Sequence, residues 1–91
     1  MSALQAQEVR DYILELFSDS LEGVGVEPQD VTDEFDLLTE GVIDSLGILE
    51  MVASLEERFS LRLDFEGLTA EDLTRIGPLS QYVEQLSQSA Q

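Results

Sequence analysis

Val9, Tyr12, Ile13, Leu16 and Phe17 recur at spacings i, i+3, i+4, i+7 and i+8 within residues 3 to 21, with Glu8, Asp11, Glu15 and Asp19 elsewhere around the wheel. That period predicts an amphipathic helix. Ser2 followed by Gln5 fits a capping box that would start it. The same template returns in Ile48, Met51, Val52, Leu55 and Phe59, preceded by Asp44 as an N-cap. It appears again in Leu79, Tyr82, Val83 and Leu86, after Gly77 and with Pro78 at the first helical position. A last helix of about ten residues follows from that spacing, with residues 87–91 expected to fray. Thr69 and Asp72 form a cap-like pair that opens a shorter helix through Leu73 and Ile76.

Two stretches do not follow the helical period. Residues 61 to 66, "LRLDFE", alternate like a strand but have no second alternating run to pair with, so they read as an extended connector. Residues 22 to 44 have no helical period, yet Val31, Phe35, Leu37, Leu38, Val42 and Ile43 look buried. A loop of that length in a small domain is expected to be ordered and functional, and here it delivers something to the start of the central helix. The expected fold is all-α: one domain over residues 1–91, a small antiparallel bundle of three main helices plus one short helix, with a long ordered loop between helices 1 and 2.

Composition changes the picture chiefly through charge. The 91 residues carry 20 Asp and Glu against four arginines, Arg10, Arg58, Arg62 and Arg75, for a formal net charge of −16. A field of that sign repels nucleic acid and anionic membranes and attracts basic proteins at rates that fall with salt. An apolar share of 43% still favours a folded chain. No apolar run is long enough to span a bilayer and no signal peptide is evident, so the expectation is a cytoplasmic monomer.

The missing residue types exclude more. Without His, Cys or Lys there is no Ser-His triad, no thiolate nucleophile, no imidazole or thiolate zinc site, no Schiff base and no P-loop lysine. A calcium loop around Gly41 fails because Leu38 and Gly47 stand where ligands are needed. No spacing singles out a pair of carboxylates for acid–base work.

What remains is Ser45, in the first turn of the central helix, where backbone N–H groups and the helix dipole favour a phosphate. From the residues alone, Ser45 is either such a site or an ordinary helix-start residue. Beyond the core face, Leu46, Leu49 and Ala53 make a second apolar stripe flanked by Glu50, Glu56 and Glu57. That stripe is either a docking face or is covered by the long loop.

Residues 36 to 69, "DLLTEGVIDSLGILEMVASLEERFSLRLDFEGLT", resemble the heart of acyl and peptidyl carrier proteins, with the D-S-L signature at Asp44, Ser45 and Leu46. The flanking "LLTEGVI" and "LEERF" and the spacing to the outer helices extend the resemblance over nearly the whole chain. It implies that Ser45, flanked by Asp44, receives 4′-phosphopantetheine from coenzyme A through a separate phosphopantetheinyl transferase. The arm's thiol would then hold an acyl, aminoacyl or peptidyl group as a thioester, and the carrier itself would catalyse nothing. Leu46, Leu49, Glu50, Ala53, Glu56 and Glu57 would meet basic, partly apolar patches on loading enzymes and downstream synthases. Gly47, where carriers of fatty-acid synthesis commonly have an acidic residue, looks more like free-standing aminoacyl, D-alanyl or peptidyl carriers of secondary metabolism. The competing readings are an acidic helical adaptor that binds a basic protein without modification, and an enzyme built on carboxylates.

Overall fold

The computed structural model describes residues 4–63 and 69–89. Their helices are α1 (Ala6–Leu16), α2 (Ser18–Gly23), α3 (Ser45–Phe59), α4 (Ala70–Thr74) and α5 (Ile76–Ser89), with a 3-10 turn at Pro28–Asp30. The expected helical bundle is present: α1, α3 and α5 are the three long elements and α4 the short one.

Phe17 divides the first predicted helix into α1 and α2. Its backbone, at φ −109° and ψ 24°, leaves the helical region, and its N–H donates to the Ile13 carbonyl at 3.1 Å. The apolar pattern accounts for the break. At 3.6 residues per turn, a straight helix would spread Val9, Ile13, Leu14 and Leu21 over an arc of about 140°. With the break, all four are buried, Leu21 to 1% exposure, whereas Leu16, expected on the core face, is 39% exposed.

The start of α1 also differs from the expected capping box. Gln5 is itself the N-cap and its side chain makes no cap bond, while Ser2 lies outside the described residues. The donor is met from the far end of the chain, where Glu84 Oε2 accepts the Ala6 N–H at 2.8 Å. A carboxylate at a helix N-terminus both satisfies an orphan donor and opposes the dipole.

The last helix begins two residues before Pro78, because the loop supplies its acceptors. The Ile76 N–H donates to the Phe35 carbonyl at 3.1 Å and the Gly77 N–H to the Asp33 carbonyl at 2.9 Å. Pro78 has no N–H to satisfy, and Leu79 N–H reaches the Arg75 carbonyl at 3.0 Å. The helix continues to Ser89; Ala90 and Gln91 lie outside the described residues.

The loop is ordered, as its apolar residues predict. Val31, Leu37, Val42 and Ile43 are buried and Phe35 packs half-buried against the core. Leu38, counted among the buried residues from sequence, is 42% exposed. Arg10 of α1 ties the loop down by an ion pair to Asp33 at 2.6 Å and a hydrogen bond to the Val31 carbonyl. On the other side, Asp36 pairs with Arg75 in an isolated antiparallel bridge and the Leu37 N–H donates to the Thr74 carbonyl at 2.8 Å.

The core lies where α1, α3 and α5 meet this loop: Val9, Ile13, Leu37, Met51, Leu55, Ile76, Leu79 and Val83 are all fully buried. Each such side chain contributes on the order of 1.5–3 kcal/mol by leaving water. Thr69 caps α4 by accepting the Asp72 N–H at 3.2 Å, as its spacing predicts, but Ile76 belongs to α5. Ser60, at φ 55°, ends α3, and residues 61 to 63 are irregular, with Leu63 buried. The rest of "LRLDFE" lies outside the described residues.

Candidate functional site

The approach to Ser45 is built from Asp36 forward. Asp36 Oδ1 accepts the N–H groups of Leu38 and Thr39 at 3.0 and 3.1 Å, closing a tight turn over residues 36 to 39. Gly41, at φ 81°, takes the left-handed conformation the turn then needs. The Leu37 carbonyl accepts both the Val42 and Ile43 N–H groups, at 2.9 and 3.1 Å, and those two side chains enter the core. The backbone that emerges at Asp44 is therefore fixed from behind.

Partial burial opposes a charge on Asp36. Hydrogen bonds from the Thr39 backbone, the Thr74 hydroxyl, the Leu38 backbone and the Thr39 hydroxyl outweigh it and hold the carboxyl below its ordinary 3.8. An ionised Asp36 is thus part of the turn's construction.

Asp44 caps α3 in the predicted way. Its Oδ1 accepts the Gly47 N–H at 2.7 Å, and its carbonyl accepts the Ile48 N–H at 3.0 Å. Ser45 is the first residue of α3 and is exposed. The N–H groups of Ser45 and Leu46 have no intrahelical acceptor at this position, so the first turn keeps two donors available for an anion beside the hydroxyl. Gly47 has a packing role as well as a flexible one: a Cβ there would sit 3.1 Å from Ile43 Cβ and 3.3 Å from Asp44 Oδ1, crowding the cap.

The second apolar stripe is uncovered. Leu46 and Leu49 are 63% and 64% exposed, and Glu50, Ala53 and Glu57 are exposed with them. Residues 46, 49, 50, 53 and 57 share one face of α3 at helical spacing. Glu56 is placed differently. It is half-buried; its Oε2 accepts the Leu63 N–H at 2.9 Å and its carbonyl accepts the Leu61 N–H at 3.1 Å, so it holds the exit of α3.

Sequence reasoning missed Phe17, Ser20 and Gly41 as neighbours of this site. They line an open depression with Asp44 and Gly47, the residues on either side of Ser45 and Leu46. The break at Phe17 that brings them there has no local Gly or Pro to announce it.

The family model described as "Phosphopantetheine attachment site" matches residues 11–83. The chain belongs to this phosphopantetheine-attachment family. Like other carriers of the family, it takes 4′-phosphopantetheine and is not itself catalytic. It is also 31% identical over 64 residues to an acyl carrier protein of Wolinella succinogenes, an alignment covering 70% of this chain and 82% of that relative. No solved structure matches the chain. The family's matched span holds Asp36, Asp44, Ser45 and the exposed face of α3, and the geometry fits the group: an accessible hydroxyl, two adjacent free N–H donors, and a neighbouring carboxylate turned toward Gly47.

Proposed function

We propose that Ser45 is the attachment point of 4′-phosphopantetheine and that the protein carries acyl, aminoacyl or peptidyl intermediates between enzymes of a secondary-metabolite or related biosynthetic pathway. The observation that carries this reading is the placement of an exposed serine at the first position of α3, directly after its capping aspartate, within the span that the attachment family matches. When attached, the arm supplies a thiol, which activates a carboxylic acid as a thioester.

The chain's own contribution is to present and to recruit. The Asp44 cap and the buried Val42 and Ile43 hold the Ser45 hydroxyl at the helix end, and the Ser45 and Leu46 N–H groups favour the phosphodiester. Ser45 needs a base to take its proton, and a chain without His, Cys or Lys leaves that to a transferase. Leu46, Leu49, Glu50, Ala53 and Glu57 form a face for basic, partly apolar patches on the transferase, the loading enzyme and later synthases. Glu56 serves that face indirectly, by fixing the end of α3. Electrostatic recruitment by the −16 charge favours fast, salt-sensitive encounters in the cytoplasm. Gly47 favours an aminoacyl or peptidyl cargo over a fatty-acid one.

The test is an intact-mass spectrum after incubation with coenzyme A, magnesium and a broad-specificity phosphopantetheinyl transferase. One phosphopantetheine added to the wild type and none to Ser45→Ala is the expected result. A folded wild type that gains nothing overturns the reading and leaves an unmodified acidic adaptor.

A further inference from the structure

The surface beside Ser45 is concave. An open depression of about 480 Å³ is lined by Phe17 and Ser20 at the α1–α2 break, by Gly41 and Ile43 of the loop, and by Gly47 and Glu50 of α3. Asp44 lines it too, so the residues flanking Ser45 and Leu46, Asp44 and Gly47, both belong to it. Neither glycine puts a side chain into it: Gly41 is favoured by its φ of 81°, and at Gly47 a Cβ would crowd Ile43 and Asp44 at 3.1 and 3.3 Å. Depressions near Arg58, near Gly25 and near Ser80 involve no residue of the first two turns of α3.

We infer that this depression is the resting place of the phosphopantetheine arm on the unloaded carrier, an inference that rests on the assignment of Ser45 above. The arm alternates methylene and gem-dimethyl segments with two amides and a hydroxyl. The lining offers both kinds of contact, apolar Phe17, Val42 and Ile43 together with the Ser20 hydroxyl and the acceptor carboxylates of Asp44 and Glu50. Its volume falls within the roughly 300–1,000 Å³ typical of small-molecule sites. A short flexible tether gives an effective concentration on the order of millimolar, so contacts with an intrinsic Kd below about a millimolar keep the site mostly filled.

Two consequences distinguish this resting place from a buried one. Leu46 and Leu49 do not line the depression, so the docking face stays open while the arm is parked. Glu50 belongs to both, so a partner whose basic group engages Glu50 competes with the arm's amides for the same carboxylate. Docking and release of the arm are thereby coupled.

The experiment compares amide spectra of the ¹⁵N-labelled full chain before and after modification, with attachment confirmed by mass. Resonances of Ser20, Gly41 and Gly47 are expected to shift, and those of Val9, Leu79 and Val83 to stay. Ser20→Trp, which fills the depression, should still be modified, lose the Gly41 shift, and expose a thiol that reacts several-fold faster with a disulfide reagent. Shifts confined to residues 44 to 46, or shifts at Met51, Leu55 and Leu79 that report entry into the core, overturn the inference while leaving Ser45 as the attachment point. Failure of attachment itself overturns that assignment first, and the inference with it.

Discussion

Gly77 lies against the backbone of Asp33. Its N–H donates to the Asp33 carbonyl at 2.9 Å, and a Cβ at Gly77 would fall 2.5 Å from Asp33 Cβ and 2.6 Å from its carbonyl oxygen. The helix cannot accept even one carbon here without moving the loop. Gly77→Ala is therefore expected to lower unfolding free energy by about 1–3 kcal/mol, the usual cost of overpacking, despite a gain in helix propensity. Gly23→Ala, where nothing lies within 4 Å, is expected to be neutral or to stabilise by about 0.4–1 kcal/mol. Urea denaturation of the two variants makes the comparison.

Glu84 replaces the side-chain cap that α1 lacks. Glu84→Ala should cost about 1 kcal/mol, typical of a lost N-cap, and Glu84→Gln less, because an amide oxygen can still accept the Ala6 N–H. Hydrogen exchange at Ala6 should accelerate in the alanine variant and only partly in the glutamine one.

The exposed and buried leucines of α3 should separate docking from stability. Leu55→Ala, at a fully buried position, is expected to cost about 2–5 kcal/mol. Leu49→Ala, 64% exposed, should stay within about 0.5 kcal/mol of wild type. Kinetics with a phosphopantetheinyl transferase should nevertheless show a raised KM for Leu49→Ala.

Asp36 fixes the sign of one pH effect. Because its folded carboxyl titrates below 3.8, it stabilises fully above that value and the contribution disappears as pH falls through the lowered folded value. The stability gap between wild type and Asp36→Asn should be constant from pH 7 to about 5 and close in stronger acid. Self-repulsion at −16 acts in the opposite direction, so melting temperature should rise with moderate sodium chloride and with mild acidification toward the pI of about 4.1. A melt that falls with salt would mean that attractive pairs such as Arg10–Asp33 outweigh the repulsion.

The helices that could be read from sequence were those whose signals are local. Asp44 and Thr69 announce their caps within three residues, and the period of Met51, Val52 and Leu55 places the face of α3 without reference to anything else. Ser45 and the exposed leucines followed from the same register. What could not be read depends on distant partners. The α5 start is drawn back to Ile76 by carbonyls of the loop, and α1 begins where Glu84 meets it. Glu56 looked like its acidic neighbours until the chain beyond α3 turned back onto its carboxylate. Leu38 has the composition of a core residue, but the turn made by Asp36 leaves it outside.

These borrowed acceptors bear on how the molecule assembles. The first turn of α1 is finished only by a residue 78 positions later, and the first turn of α5 only by Asp33 and Phe35. The start of α1 depends on a residue of α5, and the start of α5 on a loop that Arg10 of α1 ties down, so partial structures gain little from forming early. Folding should be all-or-none, with amides at both helix starts sharing a single opening free energy in place of two independent fraying events.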